Sequence, residues 1–145
     1  MSTIELRWKD RTIGTAQTRR RFLDVVIDGQ SLHETFGDLI SPIGWDSDHV
    51  SKRALARFLR NEKPDLANER NSIYVCPECG DLDCGAISAV IVREGDRIIW
   101  RDFGYQSGYD GDVDFDDLEN VGPYTFKAAE YFHVFDRALD NNDQK

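Results

Sequence analysis

The chain has 145 residues, 40% of them hydrophobic and 11% aromatic, and a net charge of −9. This length predicts one α+β domain over residues 1–145, burying roughly two-thirds of its unfolded surface, and the aromatic content excludes a disordered acidic polymer. The acidity excludes an ordinary nucleic-acid binder, which needs surplus Lys and Arg to neutralise phosphates.

No stretch approaches about 18 uninterrupted apolar residues, so no membrane span is expected. The first residues lack a basic segment followed by an apolar run, so no signal peptide is expected either. The resulting expectation is a cytoplasmic protein with reduced thiols.

Residues 4–8 alternate apolar and polar side chains, as a half-buried strand does. A polar stretch containing Arg19, Arg20 and Arg21 follows, then a β-branched run over 22–28 closed by the turn pair Asp28-Gly29. Ser31 and Glu34 have the spacing of a capping box, which opens a short helix ended by Gly37. Residues 39–45, with Pro42 and Gly44, read as loop.

Asp46 or Ser47 caps a longer helix predicted over 48–60. Its apolar stripe is Val50, Ala54, Leu55, Phe58 and Leu59, with Lys52, Arg53, Arg57 and Arg60 facing solvent. Pro64 bars continuation. A short strand over 72–75 leads into a turn, and residues 86–94 and 97–105 form a hairpin around Gly95-Asp96. Ile87, Ala89 and Ile91 lie on one face of its first strand, with Val90 and Val92 on the other, which suits an inner strand. Ala128, Phe132, Phe135 and Leu139 recur at helical spacing within 127–139. The fold expected is α+β, a mostly antiparallel sheet with two or three packed helices.

All three cysteines, Cys76, Cys79 and Cys84, fall within nine residues. Cys-x-x-Cys followed by Gly80 has the form of a zinc knuckle, with Cys84 as a third candidate ligand. No fourth cysteine exists. His33, His49, His133, Asp81 or Asp83 would complete the shell, and none stands at diagnostic spacing. The alternative is a reduced loop whose small thiols pack under the sheet, so no metal or other cofactor is assigned and zinc stays open. Cys76-Pro77-Glu78-Cys79 also has the Cys-Pro-x-Cys form of glutaredoxin-like proteins. That chemistry needs a helix N-terminus behind the thiolate, whereas here a β-branched run follows. Glu78, Asp81 and Asp83 are expected to raise the thiol pKa. An enzyme is therefore not expected, and a thiol oxidoreductase is only the minor alternative.

The run from Tyr74 through Cys76-Pro77-Glu78-Cys79-Gly80-Asp81-Leu82-Asp83-Cys84-Gly85 to Ala86 resembles a family of small bacterial proteins. So does the hairpin ending Ile99-Trp100-Arg101-Asp102-Phe103. The family is sometimes loosely labelled oxidoreductase, and the resemblance implies no established function.

Charge divides at this turn. Residues 1–75 hold 12 Lys and Arg against 11 acids, and residues 76–145 hold 6 against 16. Between Arg101 and Lys127 there is no basic residue, while seven acids and six aromatics occur. If residues 110–116 run extended, alternate aspartates project to one side and repel one another by about a few tenths of a kcal/mol each. A calcium loop is a rival reading, but Phe115 and Val121 occupy the positions where an EF-hand needs Gly and Glu, which argues against it. The three histidines lie in separate elements, with His33 and His49 expected at the surface.

These features point to a binding protein with a basic protein partner. In size, acidity and lack of an export signal the chain is similar to immunity proteins of contact-dependent inhibition systems. That likeness implies inhibition of a basic, nuclease-like toxin. The expected contact residues are Tyr105, Tyr109, Asp110, Asp112, Asp114, Asp116, Asp117 and Glu119. The rival is a zinc-binding or thiol-redox protein built on Cys76, Cys79 and Cys84.

Overall fold

The structure, a computed structural model, describes residues 1–11, 20–44, 48–78, 85–107 and 112–138. They form two antiparallel sheets and three helices, an α+β arrangement. In the first sheet β1 (Ile4–Asp10) pairs with β2 (Arg21–Ile27), which pairs with β3 (Gln30–Ser31). Asp28 and Gly29 turn β2 into β3 with φ of 52° and 81°. Such paired positive values match the right-handed twist of the flanking strands. Ser31 then caps α1 (Leu32–Phe36), its Oγ accepting from the Glu34 amide at 3.2 Å, and Gly37 ends the helix at φ 78°.

The second sheet runs β4 (Arg70–Val75), β5 (Ala86–Glu94), β6 (Arg97–Gln106) and β7 (Tyr124–Lys127), each pairing with the next in chain order. The Gly95-Asp96 hairpin is present, and β5 is an inner strand with a largely buried first half. α3 (Ala128–Asp136) starts where β7 stops, and the Ala128 amide donates to the Asp96 carbonyl at 2.7 Å. One apolar core spans both sheets and the helices. Trp100 sits fully buried in it, stacked on Phe58 and edge-on to Phe126 and Tyr131. Its indole N–H donates to the Tyr131 hydroxyl at 3.1 Å, which donates to the Phe58 carbonyl at 2.7 Å, so the buried polar atoms are satisfied.

A second polar network joins the two sheets. Asp24 of β2 is buried and accepts from the Ser31 hydroxyl, the His33 amide and the Tyr74 hydroxyl of β4. Tyr74 in turn accepts from the Val25 amide at 2.9 Å. Burial, then the charge of Asp24, holds the Tyr74 hydroxyl well above the ordinary tyrosine range.

Several expectations are corrected. His33 is fully buried, its Nδ1 against the Leu39 carbonyl at 2.9 Å, because α1 lays its first turn on the core instead of presenting it to water. His49 is exposed as expected. α2 (Asp48–Phe58) stops before residue 60. Arg60 takes φ 63° and donates to the Arg57 carbonyl while the Asn61 amide donates to that of Ala56, which makes a left-handed cap. Within α2, Val50 is exposed rather than core, and Arg57 is half-buried rather than solvent-facing. The Arg57 side chain is 10% exposed because the chain folding back at Asp65 pairs with it at 3.2 Å. In α3, Tyr131 fills the central core position and Phe132 is half-buried; Leu139 lies outside the described residues. Among the described residues no helix is long and apolar enough to cross a membrane.

Candidate protein interface

The acidic segment is positioned by a gap in sheet pairing. β7 covers β6 only from Arg97 to Trp100, so the outer side of β6 beyond that point must be covered by something else. Here β6 also carries a bulge, with Asp102 and Phe103 opposite the single residue Ala89, and Asp102 at φ 58°. Arg70 of β4, 4% exposed, holds the bulge from across β5. Its Nη2 donates to the carbonyls of Ser88 and Asp102, and its Nε to the Ser88 hydroxyl at 2.9 Å. Burial pulls the Arg70 pKa down and the Asp102 charge opposes this, yet a guanidinium stays charged throughout the working range.

The strap formed by residues 112–121 lies against this part of β6. Tyr105 and Asp114 exchange both backbone hydrogen bonds, at 2.8 and 2.7 Å. Approach is close enough to require glycine beneath, since a Cβ on Gly104 would lie 2.3 Å from Val113 Cγ1. Phe115 places its ring 5.4 Å from the Arg70 guanidinium, a cation–π contact. The Asp114 carboxylate accepts from the Asp116 amide at 2.9 Å, and the Leu118 amide donates to the Phe115 carbonyl at 3.2 Å. The extended run therefore ends at Asp114, and Asp116 and Asp117 stand in a turn instead of continuing the expected alternation. Asp117 takes φ 67°, a conformation aspartate tolerates better than most residues.

Asp112, Asp114, Asp116, Asp117 and Glu119 are exposed. Among the described residues Asp114, Asp116, Asp117 and Glu119 enter no ion pair. Tyr105 and Phe115 stand 40% and 46% exposed, among the few large apolar side chains on the surface. Beside them lies a groove of about 520 Å³ lined by Ile99, Phe103, Phe115, Leu118, Val121 and Pro123, with Arg101, Asp102 and Glu119 as its charged residues. Carboxylates, projecting aromatics and an apolar recess thus share one surface, the composition of a protein-binding patch with a charged rim. Tyr109 and Asp110 lie outside the described residues.

Cys79 and Cys84 also lie outside the described residues, as do Asp81 and Asp83. Cys76 is half-buried and follows β4 directly. The turn it opens is clamped from the first sheet. Arg20 donates to the carbonyls of Pro77 and Glu78 at 2.9 and 3.3 Å. Arg11, whose side chain is only 4% exposed, reaches the Glu78 carboxylate at 2.5 Å while bonding Asp38. Glu78 is thus paired with Arg11 rather than left as an isolated carboxylate. At the far side Gly85 has φ 102°, with Tyr105 lying over its backbone. Among the described residues no group of three or more His, Cys, Asp or Glu side chains could hold a metal ion.

Sequence reading missed Arg70, Arg11 and Arg20 as the residues that position these features. Arg70 stands ahead of the strand expected over 72–75 and opens β4, whose first three residues are polar. No local pattern marks Arg11, whose partners are 27 and 67 positions away. No family model, curated protein or solved structure matches the chain.

Proposed function

We propose that this protein is an acidic cytoplasmic inhibitor of immunity or antitoxin type that neutralises a basic, nuclease-like bacterial toxin. The carrying observation is the strap, where Asp114, Asp116, Asp117 and Glu119 are exposed and, among the described residues, without ion pairs, beside a groove with apolar walls. Nuclease clefts are cationic because they must hold phosphate, so an ordered anionic surface is their electrostatic complement.

The strap's backbone bonds reduce the ordering cost of association. Its carboxylates repel one another over a screening length of about 8–10 Å, and a cationic partner relieves that repulsion. Steering between opposite charges raises association toward about 10⁸–10⁹ M⁻¹s⁻¹ at low salt. Tyr105 and Phe115 supply rigid aromatic anchors.

Co-expression with the adjacent gene tests the reading. The expected result is a complex that survives purification and rescue of cells from that gene's toxicity. An adjacent product that is harmless alone, or toxic despite co-expression, contradicts it.

A further inference from the structure

Three local irregularities meet at one recess of about 270 Å³. It lies where β4 runs out, since β4 pairs with β5 only as far as Val90 while β5 continues to Glu94. Arg60, Pro64, Glu69, Asn71 and Ile91 are among its lining residues. Asn71 pairs with Ala89 and so shares a sheet face with Ala89 and Ile91. Phe58 of α2 stacks on Trp100, the β6 partner of Ile91, so the end of α2 stands over that same face.

The first irregularity is Asn71. It is 3% exposed, and its buried Oδ1 has no hydrogen-bond partner among the described residues. Buried side-chain oxygens almost always have a donor, so this one calls for an N–H. The other two lie in the backbone. Glu69 takes φ 61° in a tight turn, where the Arg70 amide donates to the Ala67 carbonyl at 3.4 Å. With Asn68 at φ 63°, both central residues are left-handed, the form that favours Asn followed by Gly. Asn68 fits and Glu69 does not. Arg60 takes φ 63° at the end of α2, again where glycine is unstrained. At both positions the chain carries a charged residue of the recess in place of glycine. Strain held in this way points to a side chain that function requires.

Arg60 and Glu69 are exposed and, among the described residues, enter no ion pair. The other charged lining residues have partners, Arg57 with Asp65, Glu62 with Arg53 and Arg101 with Asp102. The recess thus offers a cation, an anion and an amide oxygen beside aliphatic Pro64 and Ile91. We propose that it binds a free aliphatic α-amino acid. Arg60 takes the carboxylate, which its planar fork matches. Glu69 takes the ammonium, and Asn71, by rotating its amide, accepts from the same group. The ligand side chain lies along Pro64 and Ile91. The volume, just below the range of about 300–1,000 Å³ typical for drug-sized ligands, suits so small a molecule. Nothing in this proposal depends on the acidic strap or on a toxin partner.

Calorimetric titration of the full chain with L-valine, L-leucine and L-methionine tests it, with the N-acetyl and the amide form of each as blocked controls. At least one free amino acid is expected to bind one-to-one with a Kd below about 1 mM, and its two blocked forms about tenfold more weakly or worse. Arg60→Gly and Glu69→Gly are each expected to weaken that binding about tenfold or more while raising the midpoint of urea unfolding, since each relieves backbone strain. Glu69→Gln removes the charge alone and is expected to weaken binding equally. Asn71→Ala is expected to weaken it as well. Absence of one-to-one binding by all three amino acids overturns the proposal, as does equal affinity for a blocked form. Unchanged affinity in either glycine variant also overturns it.

Discussion

The guanidinium of Arg70 lies against the ring of Phe115, 5.4 Å from its centroid, and so ties β4 to the acidic strap that crosses β6. The same guanidinium holds the β6 bulge through the Asp102 carbonyl. One buried cation thereby fixes both the gap in the sheet and the segment that fills it. Arg70→Ala leaves the Ser88 and Asp102 carbonyls without this donor and opens a void. It is expected to cost about 2–4 kcal/mol in urea unfolding. Phe115→Ala removes only the exposed half of the contact and should cost under about 1 kcal/mol. Its signature is instead faster amide exchange at Asp114 and Asp116. Exchange unchanged from wild type would show that Phe115 does not anchor the strap.

Gly104 gives a sharper perturbation. A methyl group there meets Val113 Cγ1 at 2.3 Å and the Asp114 carbonyl at 3.2 Å, so the strap must lift. Gly104→Ala is expected to cost about 1–3 kcal/mol and to break the Tyr105–Asp114 backbone pair, read as lost exchange protection at both amides. Retained protection at both would contradict the close packing described here.

Arg60 adopts φ 63° where α2 ends. A side chain in that conformation is strained by about 1–2 kcal/mol, a cost glycine avoids. Arg60 has no ion-pair partner among the described residues to offset the strain. Arg60→Gly is expected to raise stability by up to about 1 kcal/mol in urea unfolding, despite the added freedom of the unfolded chain. A loss of stability would contradict the cap geometry.

Tyr74 and Tyr131 set an alkaline limit. Burial raises both hydroxyls above the ordinary value of 10.0. In the unfolded chain they ionise near that value, whereas in the folded chain they stay protonated. The unfolded state therefore binds fewer protons above pH 10, and stability falls as pH rises. Their contribution is fully present below pH 10. Tyr131→Phe should flatten this alkaline decline while lowering stability at neutral pH, because the Trp100 N–H and the Phe58 carbonyl lose their partner. An unaltered slope above pH 10 would contradict the assignment.

Most of the secondary structure was legible because its causes are local. Asp28-Gly29 and Gly95-Asp96 fix their turns by backbone preference, and Ser31 fixes a helix start with its own hydroxyl. What escaped the sequence depends on distant partners. Arg57 looked solvent-facing by helical spacing, but it is covered because Asp65 folds back onto it. His33 looked exposed until α1 was docked against β2 and β4 through Asp24. The acidic composition of the strap was plain, whereas its rigidity was not. That rigidity comes from Gly104, Tyr105 and Arg70, which belong to other elements.

The central claim is that carboxylates on the strap meet a cationic protein, and stopped-flow association across a salt series tests it most directly. The pair to compare is wild type and a variant combining Asp114→Asn, Asp116→Asn, Asp117→Asn and Glu119→Gln, each binding the product of the adjacent gene. The amides keep the Asp114 acceptor for the Asp116 amide and tolerate the φ of 67° at residue 117, so stability should change by less than about 0.5 kcal/mol. The account predicts association slowed about tenfold or more at low salt, with a flatter salt dependence. Equal rates and equal salt slopes in the two proteins would contradict it.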